Sequence, residues 1–417
     1  MNASKDSNAS KTSKTSKSSY PSNLAMTSRN WNRWKPKKVR TARSATFRRV
    51  RNGVLAALLV ATILVGASVG QALAAPGTDS VAARLAEWAR THSLGWVVTN
   101  LEQAQYALVT KPKTGGSVAG GLPKDTHTPL PTPTPTPTGP DITAAPAPLV
   151  PLVSAPQLAG EGLWQDLYSV QGLPAARVAF LRPDSIHTSY YVQVVWMDPK
   201  LVSFSLHPGY QVPGGTLTAP DQIPPSEITT ILATFNSGFQ MRDARGGYWQ
   251  NGQTIVPLRT GAASMVLSAT GQLAVESWPG GNPAPGVVAV RQNLDLLIQH
   301  GVISPAASQA NAPAWGSTVG NREYVWRSAV GVRADGSVIS VVGPAMNIES
   351  LANILLRAGA VDAMELDINP DWTNYITYTH PSPGVAVPSV LPPPDPYINP
   401  NRYLQSSSRD FVSVLPR

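Results

Sequence analysis

From Val361 to Trp372 the chain reads VDAMELDINPDW. A strand through this stretch sorts its side chains into opposed sets, with Met364, Leu366 and Ile368 toward one face and Glu365, Asp367 and Asn369 toward the other. Two carboxylates on one face repel unless a metal ion, an arginine, a shared proton or a substrate offsets their charge. The pairing therefore suits general acid or base work, or a seat for a divalent cation. Two further clusters carry usable chemistry. Asn236-Ser237-Gly238-Phe239, with Arg242 and Asp243 behind it, follows an apolar run, and its glycine permits a sharp turn at which backbone amides approach a ligand. In Trp326-Arg327-Ser328-Ala329-Val330-Gly331 an arginine stands at the entrance to a strand, where its fork of donors fits a phosphate or a carboxylate. Each cluster also has an ordinary reading: a solvated strand face, a plain turn, a surface arginine.

The elements that must position these residues begin near Gly160, where short apolar strands alternate with turn signals. Tyr190 to Met197 and Leu201 to Leu206 flank Asp198-Pro199-Lys200 and read as a hairpin, while Ile228 to Phe235 is a strand leading into the Asn236 cluster. Met265 to Val275 and Val330 to Val341 are hairpins that turn at Gly271 and Gly336. Two helices are expected, Gln292 to His300 and Asn347 to Ala358. The second has Asn347 as cap, Glu349 in its first turn, a stripe of Ile348, Leu351, Leu355 and Ala358, and Gly359 as its stop. Strand, helix and strand in succession from Val338 into the carboxylate segment predict a crossover with parallel strands. The fold class is α+β: a mixed, largely antiparallel sheet with covering helices and one β-α-β crossover. Beyond Tyr378 proline becomes frequent, and the chain reads as a tail wrapped over the surface.

The front of the chain is built differently. Residues 1–52 hold 14 lysines and arginines against one acid, a net of +13, while the whole chain carries +9, which leaves −4 for the rest. The basic character belongs to a Ser-, Thr- and Asn-rich tail without a binding fold, read as disordered and cytoplasmic, so nucleic acid is excluded as a partner of the folded part. Residues 53–75 follow with an uncharged apolar run, long enough to cross roughly 30 Å of hydrocarbon at about 1.5 Å per residue. Arg43, Arg48, Arg49 and Arg51 in front of it keep the amino end cytoplasmic. We read a signal-anchor helix in the lipid bilayer through residues 54–75, because the leader exceeds that of a signal peptide; cleavage after Ala74 would instead release the protein. Either way the remainder is exported. Residues 79–108 read as a juxtamembrane amphipathic helix with Val81, Leu85, Trp88, Ala89 and His92 on one stripe, which suits a partner or a lipid surface, although a plain stalk is the favoured reading. Residues 110–159 form a Gly-, Pro- and Thr-rich linker whose repeat at residues 129–140 runs as an extended spacer, able to lift residues 160–417 on the order of 100 Å into an envelope. The chain has no cysteine, and its six histidines lack zinc-type spacing.

Taken in order, the three clusters resemble the phosphodiester glycosidase domain family, over roughly residues 160–380. That family's first motif has asparagine, two glycines and aromatics; Asn236, Gly238 and Phe239 correspond, and Ser237 and Gln240 depart. Its arginine-threonine-alanine-isoleucine-glycine pattern is met by Arg327, Ser328, Ala329, Val330 and Gly331. Leu366 and Asp367 meet the closing leucine-aspartate, while Ile368 and Asn369 replace the glycines that follow. The resemblance implies a hydrolase of glycosyl phosphodiesters in envelope or exopolysaccharide glycans. In it Asp367 is the key carboxylate, Glu365 its partner or a ligand for a divalent cation, and Arg327 the group facing phosphate. Asn236, Gly238, Phe239, Arg242 and Asn369 then bind substrate. The bulk of Ile368, and the extended path imposed on Asn369 by Pro370, imply a reshaped cleft. The alternative is a non-catalytic glycan-binding or envelope-tethering module on the same fold, with Trp249, Trp372, Tyr375 and Tyr378 stacking on sugars. In the catalytic reading Asp367 and Arg327 are expected to share one hollow.

Overall fold

The computed structural model describes residues 42–95, 97–98, 112–124, 144–316, 323–393 and 398–417. The basic tail before residue 42, the Pro-Thr repeat and the end of the expected juxtamembrane helix lie outside them. The chain divides into two units, residues 1–64 and residues 65–417. Helix α1 (Ala42–Leu73) contains the candidate span Thr46–Leu73, 28 residues whose most apolar 18-residue window has a mean hydropathy of 2.3 and no buried residue. Helix α2 (Val81–Thr91) is capped by Ser80, whose hydroxyl accepts the Ala83 amide at 3.1 Å.

The strands of the second unit are, in order, β1 (Gln165–Val170), β2 (Leu173–Leu181), β3 (Val192–Met197), β4 (Val202–His207), β5 (Ala233–Asn236) and β6 (Tyr248–Gln250). Next come β7 (Gln253–Val256), β8 (Ala263–Ser268), β9 (Leu273–Ser277), β10 (Val287–Gln292), β11 (Leu296–Gln299) and β12 (Val302–Ile303). The last are β13 (Val325–Arg333), β14 (Val338–Met346), β15 (Ala360–Glu365), β16 (Tyr375–Ser382), β17 (Val385–Val390) and β18 (Phe411–Pro416). Among the described residues they form an eight-stranded sheet, β1-β2-β3-β14-β13-β15-β11-β12, and two five-stranded sheets, β17-β16-β5-β18-β4 and β7-β6-β10-β8-β9.

The large sheet is apolar on both faces because its strands alternate two sets of hydrophobic residues. Val194, Trp196, Ile339, Val341, Ala329 and Ala363 face helix α3 (Ile348–Arg357), which buries Leu351, Ile354 and Leu355 on them. Val195, Met197, Val330, Val338, Val342 and Met364 face the other way, onto Phe235, Tyr375, Val412 and Met265 of the smaller sheets. Each fully buried side chain of this kind contributes about 1.5–3 kcal/mol. Helix α3 has the expected cap, a reciprocal box between Asn347 and Ser350.

Four expectations need correction. The sheet is not mixed: every ladder between named strands is antiparallel. The β14-α3-β15 crossover is present, but β13 lies between its two parallel strands and pairs antiparallel with both. Gln292 to His300 is no helix; it is the end of β10 and all of β11, since a short apolar run does not by itself distinguish strand from helix. The strands flanking Asp198-Pro199-Lys200 do not pair with each other, because β3 joins the large sheet and β4 a small one. The proline-rich end is no surface tail either: β18 lies inside its sheet, between β5 and β4.

Candidate active site

Strand β15 ends at Glu365, and the next two residues remain bonded to β13. Ser328 amide and carbonyl meet Asp367 O and Leu366 N, each at 2.8 Å, while the Ser328 hydroxyl accepts the Asp367 amide at 3.0 Å. Then the chain turns. Asp367 Oδ1 accepts the amides of Ile368 at 2.7 Å and Asn369 at 2.9 Å, a side-chain turn that ends the strand's alternation. Ile368 consequently leaves the face of Met364 and Leu366 and packs with the cluster on the opposite side of the sheet.

The Asn236 cluster is tied to this turn by two buried asparagines. Asn236 donates to Ser328 Oγ at 2.9 Å and accepts the Asn374 amide at 3.0 Å. Asn293 accepts the Phe239 amide at 3.0 Å and donates to the carbonyls of Glu365 at 2.9 Å and Leu366 at 3.1 Å. Gly238 lies so close to these groups that a Cβ there would stand 2.9 Å from Asn293 Oδ1 and 3.1 Å from Arg291 Cζ. Arg291 is itself buried, in a 2.7 Å ion pair with Asp410.

These connections border a cleft of about 610 Å³, whose wall includes Phe239, Arg242, Asp367, Ile368, Asn369 and Trp372. Arg90, Gln240, Asp243, Arg245 and Arg409 also line it, so four arginines face two aspartates. Ile368 forms part of the wall without sealing the space. Burial raises the Asp367 carboxyl to about 6 against the pull of Arg409, the Ile368 and Asn369 amides and Arg291. With Oδ1 held by two amides, Oδ2 is the oxygen available to a ligand.

Arg327, expected to face phosphate, is directed elsewhere. Its guanidinium is buried, bonded to Glu365 and to the carbonyls of Met346 (3.0 Å), Trp315 (3.4 Å) and Glu323 (3.3 Å), and it does not line the cleft. Glu365 is withdrawn with it; burial pushes its carboxyl up to about 7 although Arg327 pulls it down. Its Oε1 takes the Arg327 bond, while Oε2 is buried without a hydrogen-bond partner among the described residues. Among the described residues no group of three or more His, Asp or Glu side chains could hold a metal ion. Asn236 and Gly238 stand behind the wall as supports. Phe239 and Asn369 are on it, and Arg242 is at its rim, 3.4 Å from Asp243. Of the four aromatic candidates, Tyr375 and Tyr378 are in the core and the Trp372 ring is covered by Arg409 and Arg402, at 4.5 and 4.9 Å, while Trp249 is half-buried on β6 and does not line the cleft.

Arg409 lines the cleft together with Asp367, and no motif marked it because its position depends on the segment entering β18. It also meets α2, where Glu87 is 3.4 Å from Arg409 and bonded to the Gln240 amide. Toward the sheets α2 docks through Glu87, off the predicted stripe, while Trp88 and His92 of that stripe meet Ser68 of α1. Glu87 is buried, while Val81 and Leu85 are 64% and 38% exposed.

No curated protein matches this chain. Among solved structures, the catalytic domain of zebrafish N-acetylglucosamine-1-phosphodiester alpha-N-acetylglucosaminidase, auto-inhibited by its pro-peptide, is similar at 16% identity, over 61% of this chain and 88% of that one, with a TM-score of 0.39. A hypothetical protein from Synechocystis is similar at 16% identity, over 55% and 59% of the two chains, with a TM-score of 0.30. The stretch that runs from just before β5 to the aspartate on the cleft wall, residues 229–367, matches the family model of the phosphodiester glycosidase domain.

Proposed function

We propose that this chain is a membrane-anchored, extracytoplasmic hydrolase that cleaves glycosyl phosphodiester bonds in envelope or exopolysaccharide glycans. The observation that carries this reading is the Asp367 carboxylate on the wall of an arginine-rich cleft, at the end of the span that matches the family. A phosphate ester is a weakly basic leaving group, so breaking its bond to the anomeric carbon calls for charge neutralisation more than for a strong proton donor. Arg409 supplies that charge. Asp367 supports the oxocarbenium-like centre or activates the water that replaces the phosphate. Phe239 and Asn369 shape the wall against the sugar. Arg327 and Glu365 act one layer behind, fixing β13 to β15. Helix α1 is the anchor, with the basic leader on its cytoplasmic side.

The test uses the full-length chain in detergent with a panel of hexose 1-phosphate methyl esters, reading released free sugar. At least one ester is hydrolysed, and Asp367→Asn lowers that rate by about 10²–10⁴-fold. Failure to cleave any member, or a parental rate in the variant, overturns the reading.

A further inference from the structure

Helix α2 is bonded on two sides. Toward α1, the Arg84 guanidinium donates to the carbonyls of Leu73 (2.8 Å), Gly77 (2.7 Å) and Ala75, and so satisfies acceptors that a helix end leaves open. Trp88 Nε1 donates to Ser68 Oγ at 2.9 Å. Toward the sheets, Asp79 is bonded to Ser408 and lies 3.6 Å from Arg402, and Glu87 meets Arg409 and Gln240. The connection between the helices passes so near the body that Gly77, at φ +93°, has no room for a side chain: a Cβ there would stand 2.3 Å from Ser406 O. Tyr210 reaches the same connection, donating to Pro76 O at 3.3 Å.

This arrangement inverts the usual amphipathic helix. Its polar side is docked and its apolar edge, Val81 and Leu85, is open, which fits a helix whose outer surroundings are apolar. Those surroundings follow from the proposed anchor, because only seven residues, Ala74 to Ser80, separate α1 from α2. At the other end of the same helix, Arg90 lines the cleft. The expected linker begins after α2 and so cannot set the distance between cleft and bilayer while α2 is docked.

The geometry points to a cleft held at the lipid surface by α2, with a membrane-lipid ester of a sugar 1-phosphate as its substrate. This rests on the hydrolase reading and narrows its substrate class. Water adds its oxygen to the anomeric carbon, the bond from that carbon to the phosphate oxygen breaks, one water proton passes to the departing phosphate, the free sugar departs, and the lipid phosphate monoester stays in the membrane.

The test places the full-length chain in phosphatidylglycerol-containing vesicles. A hexose 1-phosphate cleaved as its methyl ester is presented again as its phytyl ester in the same vesicles. Sharing a surface raises effective concentration, so the phytyl ester is consumed about tenfold faster or more than the methyl ester. The double variant Val81→Glu, Leu85→Glu, which alters only the open edge of α2, loses that advantage and keeps the methyl ester rate within about twofold. Equal rates for the two esters, equal cleavage of phytyl ester carried in separate vesicles, or an advantage that survives in the double variant overturns the inference and leaves the hydrolase reading standing. A second measurement is independent of activity. The chain has no cysteine, so a single environment-sensitive dye at Leu85→Cys reports α2 alone. Quenching by lipid-borne nitroxide is expected, and quenching only by an aqueous agent overturns the proposal.

Discussion

Asp367 joins two properties that work against each other. It is nearly out of water, which disfavours its charge, and it stands where the proposed chemistry needs that charge. Because burial raises it from 3.8 to about 6, folding favours its protonated form. That contribution to stability is complete below about pH 4 and is lost as pH climbs through about 6. Asp367→Asn keeps an oxygen for the Ile368 and Asn369 amides and removes the charge. It is expected to raise Tm by a few degrees at pH 8 and leave it unchanged at pH 4, as read by calorimetry. Activity runs the other way, with kcat/KM rising through an apparent pKa near 6 as the carboxylate forms; a profile falling through that region would assign Asp367 as proton donor instead.

At the scale of elements, Ser328 links β13, the Asp367 turn and Asn236 through one hydroxyl. Ser328→Ala strands the Asn236 amide and the Asp367 amide in a dry site, at a cost of about 1–3 kcal/mol for each group left unmade, measurable by urea unfolding. Gly238→Ala drives a methyl group against Asn293 and Arg291, costing about 1–3 kcal/mol and displacing Phe239 from the wall. These elements also show what was legible in the chain before its structure. The capped helix after β14, the hairpins at Gly271 and Gly336, and the crossover were readable because local capping, turn chemistry and alternation determine them. The β11 segment was not, since a short apolar run fits either period. Nor was the partner of Asp367. Glu365 and Arg327 carried the recognisable motif but bond to each other, while Arg409 and Asn293 reach the site through strand pairings that leave no local mark.

For the whole molecule, the three sheets meet around charges that have been taken out of water. Arg291 with Asp410 joins β10 to the segment entering β18, and Arg327 with Glu365 joins β13 to β15. Removal of one partner from either pair leaves an uncompensated charge and is expected to cost about 3–5 kcal/mol by denaturant titration, whereas replacement of both by apolar residues of similar volume is nearly neutral. A lineage carrying this domain therefore faces a fitness valley at each pair. The first step away is harmful and only the second restores the loss, so each pair tends to persist, or to change by coordinated replacement, long after selection on the cleft itself has relaxed.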